Sequence, residues 1–475
     1  MNKRLRVSTL AVLLASASTS AMADTSDDRI AALEAKIAAL TGELSDLKAE
    51  TKKANQDINK KLAATATISN ARPMINSADG SQKFAVRGIV QFDAAEYNAK
   101  NNVPGRNDFN SGTNFRRARI GVEGTFAKDW NYNLTGEFGG GGGVEATQLI
   151  GAYIEYAGFK PLGPNAMVRL RVGGWATPTG LEDATSNTEA LFLERPAIAE
   201  MVRGLAGGDA RSGIGVLANG ERWTATAVFT GGLVGNTGEF DEQSGYLTRV
   251  AVAPIMGKDY AVHVGGSVQG ILSPADAGAG LTKVSQVRLR ERPELRVDGT
   301  RLVDTGLLNS NGLTAYGAEL GAYYKSLQVS AEAFRVDVDR TGGFNPSFSG
   351  WYVQGAWTLT GETHAWNSAT GGFRGIRPAK NFSPADGTWG AVEIAARYSV
   401  LDLNDHEGVA GRAAPAGGIR GGEQSIATIG LNWYPNPVYR FQAQYQHVDI
   451  DRLSATGLQV GEDVDIVSVR SQVAF

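Results

Sequence analysis

Val464-Asp465-Ile466-Val467-Ser468-Val469-Arg470-Ser471-Gln472-Val473-Ala474-Phe475 alternates polar and apolar side chains and closes on an aromatic residue. A period of two turns successive side chains to opposite faces of a strand. Outer-membrane β-barrels commonly finish on an amphipathic strand of this kind, so the stretch predicts an all-β transmembrane barrel in the outer membrane of a Gram-negative cell.

The other end of the sequence agrees with that compartment. Lys3, Arg4 and Arg6 precede an apolar run from Val7 to Ala17, and Ala21-Met22-Ala23 offers a small-residue cleavage site. This pattern predicts a signal peptide over residues 1–23, with the mature chain beginning near Asp24. The apolar run has about 11 residues, too short for a helix that needs roughly 20 to span a bilayer. There are no cysteines, which excludes a disulfide framework and thiolate metal sites. Sixty glycines, a net charge of −3 and a mean hydropathy of −0.19 do not fit a bundle of membrane helices.

Residues 30 to 62 follow a heptad. Ile30, Ile37, Leu44, Thr51 and Ile58 fall at a, and Leu33, Leu40, Leu47, Ala54 and Lys61 at d. Glu34, Lys36, Glu43, Asp46 and Lys48 form a solvated face. This predicts a coiled-coil segment over 24–62, with isoleucine-rich core positions that permit a trimer. Residues 63–82, with Pro73 and several Ala, Ser and Asn, read as a linker.

From Phe84 the period changes to two. Phe84, Val86, Gly88, Val90 and Phe92 alternate with Ala85, Arg87, Ile89, Gln91 and Asp93, and Ala118, Ile120, Val122 and Phe126 alternate with Arg117, Arg119, Glu123 and Thr125. Segments of this type begin near residues 84, 115, 131, 149, 166, 213, 222, 246, 260, 313, 327, 350, 389, 425, 438 and 463. The expectation is a 16-stranded antiparallel barrel over 83–475, wide enough for a water-filled channel. Short connections at Lys128–Trp130, Asn219–Glu221, Lys325–Ser326 and Pro435–Pro437 alternate with long ones, as short periplasmic turns alternate with outer loops. The long 361–388 connection is out of step, because it falls on the short-turn side.

Arginine is concentrated on the polar faces. Arg117 and Arg119 share one strand, Arg169 and Arg171 another. In Val287-Arg288-Leu289-Arg290-Glu291-Arg292, the alternation predicts that Arg288, Arg290 and Arg292 point the same way. Guanidinium groups inside a low-dielectric wall favour anions, and each fork can grip an oxyanion bidentately. Arginines also line lumens simply as partners of acids, and Asp93, Glu123, Glu137, Glu291 and Glu294 are available for such pairing.

The barrel segment resembles the phosphate-selective porins O and P. The resemblance is carried by Phe115-Arg116-Arg117-Ala118-Arg119, Arg292-Pro293-Glu294-Leu295-Arg296, Leu302-Val303-Asp304-Thr305-Gly306, Leu359-Thr360-Gly361-Glu362, Glu393 through Ser399, and Gly430-Leu431-Asn432-Trp433-Tyr434. It implies a homotrimer of 16-stranded barrels that passes small anions such as phosphate. It further implies an arginine ladder at Arg288, Arg290, Arg292 and Arg296, leading to a constriction at Arg116 and Arg117. The chain departs from that pattern in loop 176–212, which has no lysine and carries Glu182, Asp183, Glu189, Glu194, Glu200 and Asp209 against Arg195, Arg203 and Arg211. Lysines are scarce on the periplasmic side as well. A general diffusion porin and a barrel-anchored envelope tether are the alternatives.

Nothing points to an enzyme. His263, His364, His406 and His447 are scattered, with no metal-binding spacing. Gly265-Gly266-Ser267-Val268-Gln269 lacks the final glycine of a nucleophile elbow, and Gly257-Lys258-Asp259 is no phosphate loop. We expect no cofactor, no metal and no nucleic-acid partner; the partners expected are outer-membrane lipid and small anions.

Overall fold

The computed structural model describes residues 26–62, 64–99, 109–140, 148–208, 210–234, 241–276 and 284–475. The predicted signal peptide lies outside them. Helix α1 (Ser26–Leu62) covers the heptad as one 37-residue helix. Its apolar core-type residues, from Ile30 to Ile58, are solvent-facing among the described residues, with Leu40 62% and Leu47 61% exposed. Among the described residues no helix is long and apolar enough to cross a membrane.

Residues 64–77, within the segment read as a linker, form a hairpin of β1 (Ala64–Ser69) and β2 (Arg72–Ser77). Asn70 and Ala71 make its turn in the left-handed region. β2 pairs with the foot of β3 (Lys83–Ala99), Met74 opposite Ala85 and Asn76 opposite Lys83. The wall continues through β4 (Gly112–Phe126), β5 (Trp130–Glu137), β6 (Gln148–Tyr156), β7 (Met167–Trp175), β8 (Arg211–Asn219), β9 (Trp223–Leu233), β10 (Ser244–Met256) and β11 (Tyr260–Ser273). Three two-residue strands, β12 (Gln286–Val287), β13 (Arg290–Glu291) and β14 (Val303–Asp304), lie in the next connection. Then come β15 (Leu308–Tyr324), β16 (Leu327–Arg340) and β17 (Ser347–Thr358), a small hairpin of β18 (Ala365–Asn367) and β19 (Gly372–Arg374), and β20 (Ala391–Asp405), β21 (Ile419–Tyr434), β22 (Tyr439–Asp451) and β23 (Asp463–Ala474). β23 pairs antiparallel with β3 from Val464 opposite Ala99 to Ala474 opposite Ile89, which closes a 16-stranded barrel.

Burial settles which face is which. Val90, Ile120, Leu134, Val172, Leu320 and Val467 are 43–58% exposed, while Gln91, Asp93, Arg249, Glu319, Gln424 and Arg470 on the alternate positions are at most 4% exposed. An apolar exterior around a polar interior is the inverse of a soluble sandwich and suits strands with lipid outside. At the short turns, the rings of Phe126, Trp130, Tyr156 and Phe159 pack one against the next, as do those of Phe382, Trp433 and Phe441. Such clusters form the aromatic girdle at a membrane interface. Gly88 is part of the closing seam: a Cβ there would lie 2.4 Å from the Phe475 ring.

The out-of-step 361–388 connection is genuine and leaves the strand count at sixteen, because this stretch fills the lumen. Trp366 donates to His263 Nδ1 at 3.1 Å, and the Thr370 and Gly371 carbonyls accept from Arg249 at 2.6 and 2.9 Å. His364 binds Glu393 at 2.8 Å. Loop 176–210, carrying α2 (Leu181–Ala184) and α3 (Ala197–Arg203), enters from the other end. The Leu181 and Glu182 amides donate to Glu332 at 2.6 and 3.0 Å. Ile198, Met201 and Val202 join Phe334, Phe348 and Leu401 in one apolar cluster. The two inserted segments meet where Leu181, Trp366, Phe373 and Tyr323 pack together.

Candidate anion site

Strict alternation would turn Arg116 towards lipid. A β-bulge prevents this: the register pairs Gln91 with Arg117 but Phe92 with Phe115, so Arg116 is the extra residue. A bulge re-aims a side chain without ending the strand. Phe115 consequently faces out beside Phe92, their rings 5.0 Å apart, while Arg116 and Arg117 are 7% and 3% exposed.

Both arginines meet Glu194 of the inserted loop. Arg116 grips it bidentately at 2.6 and 3.0 Å, Arg117 stands 3.9 Å away, and Arg470 and Arg296 reach it at 3.0 and 3.9 Å. Arg470 also chelates Asp93, with both contacts at 2.6 Å. Glu200 continues the network to Arg296 at 2.6 Å and Arg195 at 3.1 Å, and Asp183 binds Arg203 at 2.8 Å and Arg195 at 3.2 Å. Six guanidinium groups against four carboxylates leave two positive charges in the middle of the barrel. Burial alone would raise the Glu194 pKa, but Arg116, Arg117 and Arg470 overcome it and hold the carboxyl well below its usual range. Glu200 is depressed for the same reason, with Arg203, Arg296 and Arg195 outweighing burial. Glu194 and Glu200 therefore stay ionised and act as pins that fasten the arginines.

The other predicted positions are spread over the lumen. Arg119 pairs with Glu137, and Arg171 binds Glu155 at 2.6 Å while lying 4.1 Å over the Tyr153 ring. Arg169 donates to Asn219 at 2.9 Å. Arg119, Arg171 and Arg87 line one cavity of about 290 Å³. Arg288, Arg290 and Arg292 do not form one continuous row. Arg288 and Arg290 are exposed, with Leu289 buried between them, and Arg288 is tied to Asp304 at 2.8 Å. Arg292 is buried, because the chain bends at Pro293–Glu294, where Glu294 takes φ 52°, and turns inward. Arg296, beyond the bend, meets Glu194 and Glu200 in the central ring.

Sequence reasoning counted Arg195 and Arg203 only against the loop acids and gave no role to Arg470 or to Arg397, which is buried against Glu294 and lies 4.4 Å over the Phe192 ring. Arg470 had one visible signal, its place beside Ser468 and Gln472 on the polar face of the closing strand. Among the described residues, no group of three or more His, Cys, Asp or Glu is placed to hold a metal ion.

The family described as "Phosphate-selective porin O and P" matches residues 84–475. An uncharacterized protein of Caulobacter vibrioides is 26% identical over 440 residues, covering 87% of this chain and 78% of the relative. Porin O of Pseudomonas aeruginosa is 24% identical over 444 residues, covering 87% of this chain and 95% of that protein. Among solved structures, the anion-selective porin from Comamonas acidovorans aligns with a TM-score of 0.48 at 14% identity, over 83% of this chain and all of that one.

Proposed function

The chain belongs to the phosphate-selective porin O and P family, and from that premise we propose that this outer-membrane channel passes small anions, phosphate among them, selected at the arginine ring around Glu194. Family and fold point to a channel rather than an enzyme. The observation that carries the reading is the excess of arginine at the ring: four guanidinium groups converge on one glutamate, which cannot neutralise them. Fixed donors inside a low-dielectric wall focus the field on a passing ion, and an oxyanion takes up their forks while chloride takes only their charge. Arg288 and Arg290 draw anions towards the ring, and the cavity of Arg119, Arg171 and Arg87 receives them beyond it. Conduction then needs each stop to hold weakly enough to release.

Assembly is part of the proposal. The signal peptide over 1–23 exports the chain, and the heptad of 24–62 clamps three copies into a homotrimer, because its apolar stripe is uncovered among the described residues. The acids Asp183, Glu194 and Glu200 favour a second reading, a general diffusion porin whose arginines are held mostly as structural pairs.

The zero-current potential of the purified protein in a planar bilayer under a KCl gradient, followed by phosphate titration, tests the choice. A potential of anion-selective sign with chloride current blocked by phosphate supports the proposal. A potential near zero without block supports the general pore.

A further inference from the structure

At the short-turn end of the barrel lies a second arginine-lined cavity, separate from the ring. Its volume is about 330 Å³, within the range of roughly 300–1,000 Å³ common for small-molecule sites. Arg72 of the β1–β2 hairpin, Arg87 of β3, Arg377 of the inserted 361–388 segment and Arg440 of β22 line it. Glu189 is the one acid on its wall and is already bound by Arg377 at 3.2 Å. Arg72 and Arg87 share Glu123. Four cations against two acids leave the pocket positive.

Arg440 is the unusual member. It is 2% exposed, it donates through Nη1 to the Thr188 carbonyl at 3.3 Å, and it lies 4.8 Å from the Tyr434 ring centre. Its Nε and Nη2 are buried with no hydrogen-bond partner among the described residues. A buried cationic donor left open costs free energy unless an acceptor reaches it. The remaining wall is mixed: Met74, Ile89 and Ile376 give it an apolar side among Ser69, Asn70, Asn436 and Gln472. A bare inorganic anion would satisfy the arginines and leave this apolar surface uncovered.

We propose that this cavity is a binding site for a small organic anion, a carboxylate carrying an apolar or aromatic body, held at the periplasmic mouth with its charge on Arg440 and Arg377 and its body against Met74, Ile89 and Ile376. The proposal rests on the reading of the pore as anion-passing. It adds an organic solute class and a docking point that the hairpin helps to wall.

The test is block of chloride current through the full-length protein in a planar bilayer by benzoate, acetate or inorganic phosphate, added to each side in turn. Benzoate on the periplasmic side is expected to reach half-block at a concentration at least about tenfold below acetate and phosphate, since only its ring buries apolar surface. Arg440→Gln and Arg377→Gln should each weaken that block severalfold; Arg377, with a side chain 61% exposed, is the variant expected to leave the barrel intact. Ile376→Ser should weaken benzoate and spare acetate. Equal block by benzoate and acetate, or benzoate block untouched by Arg377→Gln, overturns the site. A near-zero reversal potential with benzoate block intact would instead overturn the anion filter alone.

Discussion

Replacing Glu194 by Gln should make the channel more anion-selective, although it breaks the bidentate ion pair with Arg116. Arg116, Arg117, Arg296 and Arg470 all lie within 3.9 Å of its carboxylate. Over the whole network, six arginines face Glu194, Asp93, Glu200 and Asp183, and the substitution raises the net charge from two to three. An anion passing roughly 6 Å from the removed charge gains about 0.7 kcal/mol if the effective dielectric constant is about 80, and about 2.8 kcal/mol if it is about 20. Screening over a Debye length of about 10 Å at 0.1 M salt favours the lower figure in a water-filled lumen. The anion-to-cation permeability ratio should therefore rise about 3- to 10-fold, since every 1.4 kcal/mol is about tenfold. The amide still accepts from Arg116, which limits the loss of anchoring, and circular dichroism would confirm an intact barrel. The assay is the reversal potential in a KCl gradient at 0.1 M and again at 1 M, where the gain should shrink. An unchanged or lowered ratio in a folded variant would show that the ring does not set selectivity.

The converse double substitution, Arg116→Ala with Arg117→Ala, should lower the same ratio and abolish phosphate block, read by the same bilayer measurement. Selectivity should be flat between pH 7 and about pH 4: Glu194 and Glu200 have folded-state pKa values below their unfolded ones, so their contribution is present above the unfolded value and is lost only as pH falls through the depressed folded one. Conductance recorded across that range checks it, and a change beginning near pH 5 would contradict the sign. Phe373→Ala should loosen the 361–388 segment where it packs on Leu181 and Tyr323 and increase single-channel conductance. Leu40→Asp with Leu47→Asp in α1 should leave single-barrel folding intact and abolish the trimer, as seen by light scattering.

The wall was legible because each strand needs one apolar and one polar face, and a period of two survives in the sequence wherever lipid and water lie on opposite sides. The inserted segments were harder. Loop 361–388 read as an anomaly because its partners, Arg249, His263 and Glu393, sit on distant strands. The bulge at Arg116 violates the very alternation used to find strands, and only resemblance to a known motif pointed there. The expected row at Arg288, Arg290 and Arg292 assumed an extended chain, and Pro293–Glu294 bends it. The ring itself could not be assembled from sequence, since Glu194 and Arg470 stand 276 residues apart.

The seam between β3 and β23 does more than close a cylinder. Arg470 on one margin holds Asp93 on the other and, through the same guanidinium, Glu194 and the Leu193 carbonyl of the inserted loop at 3.0 and 2.6 Å. With the loop seated, that arginine is buried and fully engaged; with the loop displaced it would keep Asp93 and exchange its other partners for lumenal water. One guanidinium thus fastens the closure of the wall and the seating of the filter together, so a change at that position would be felt in both at once.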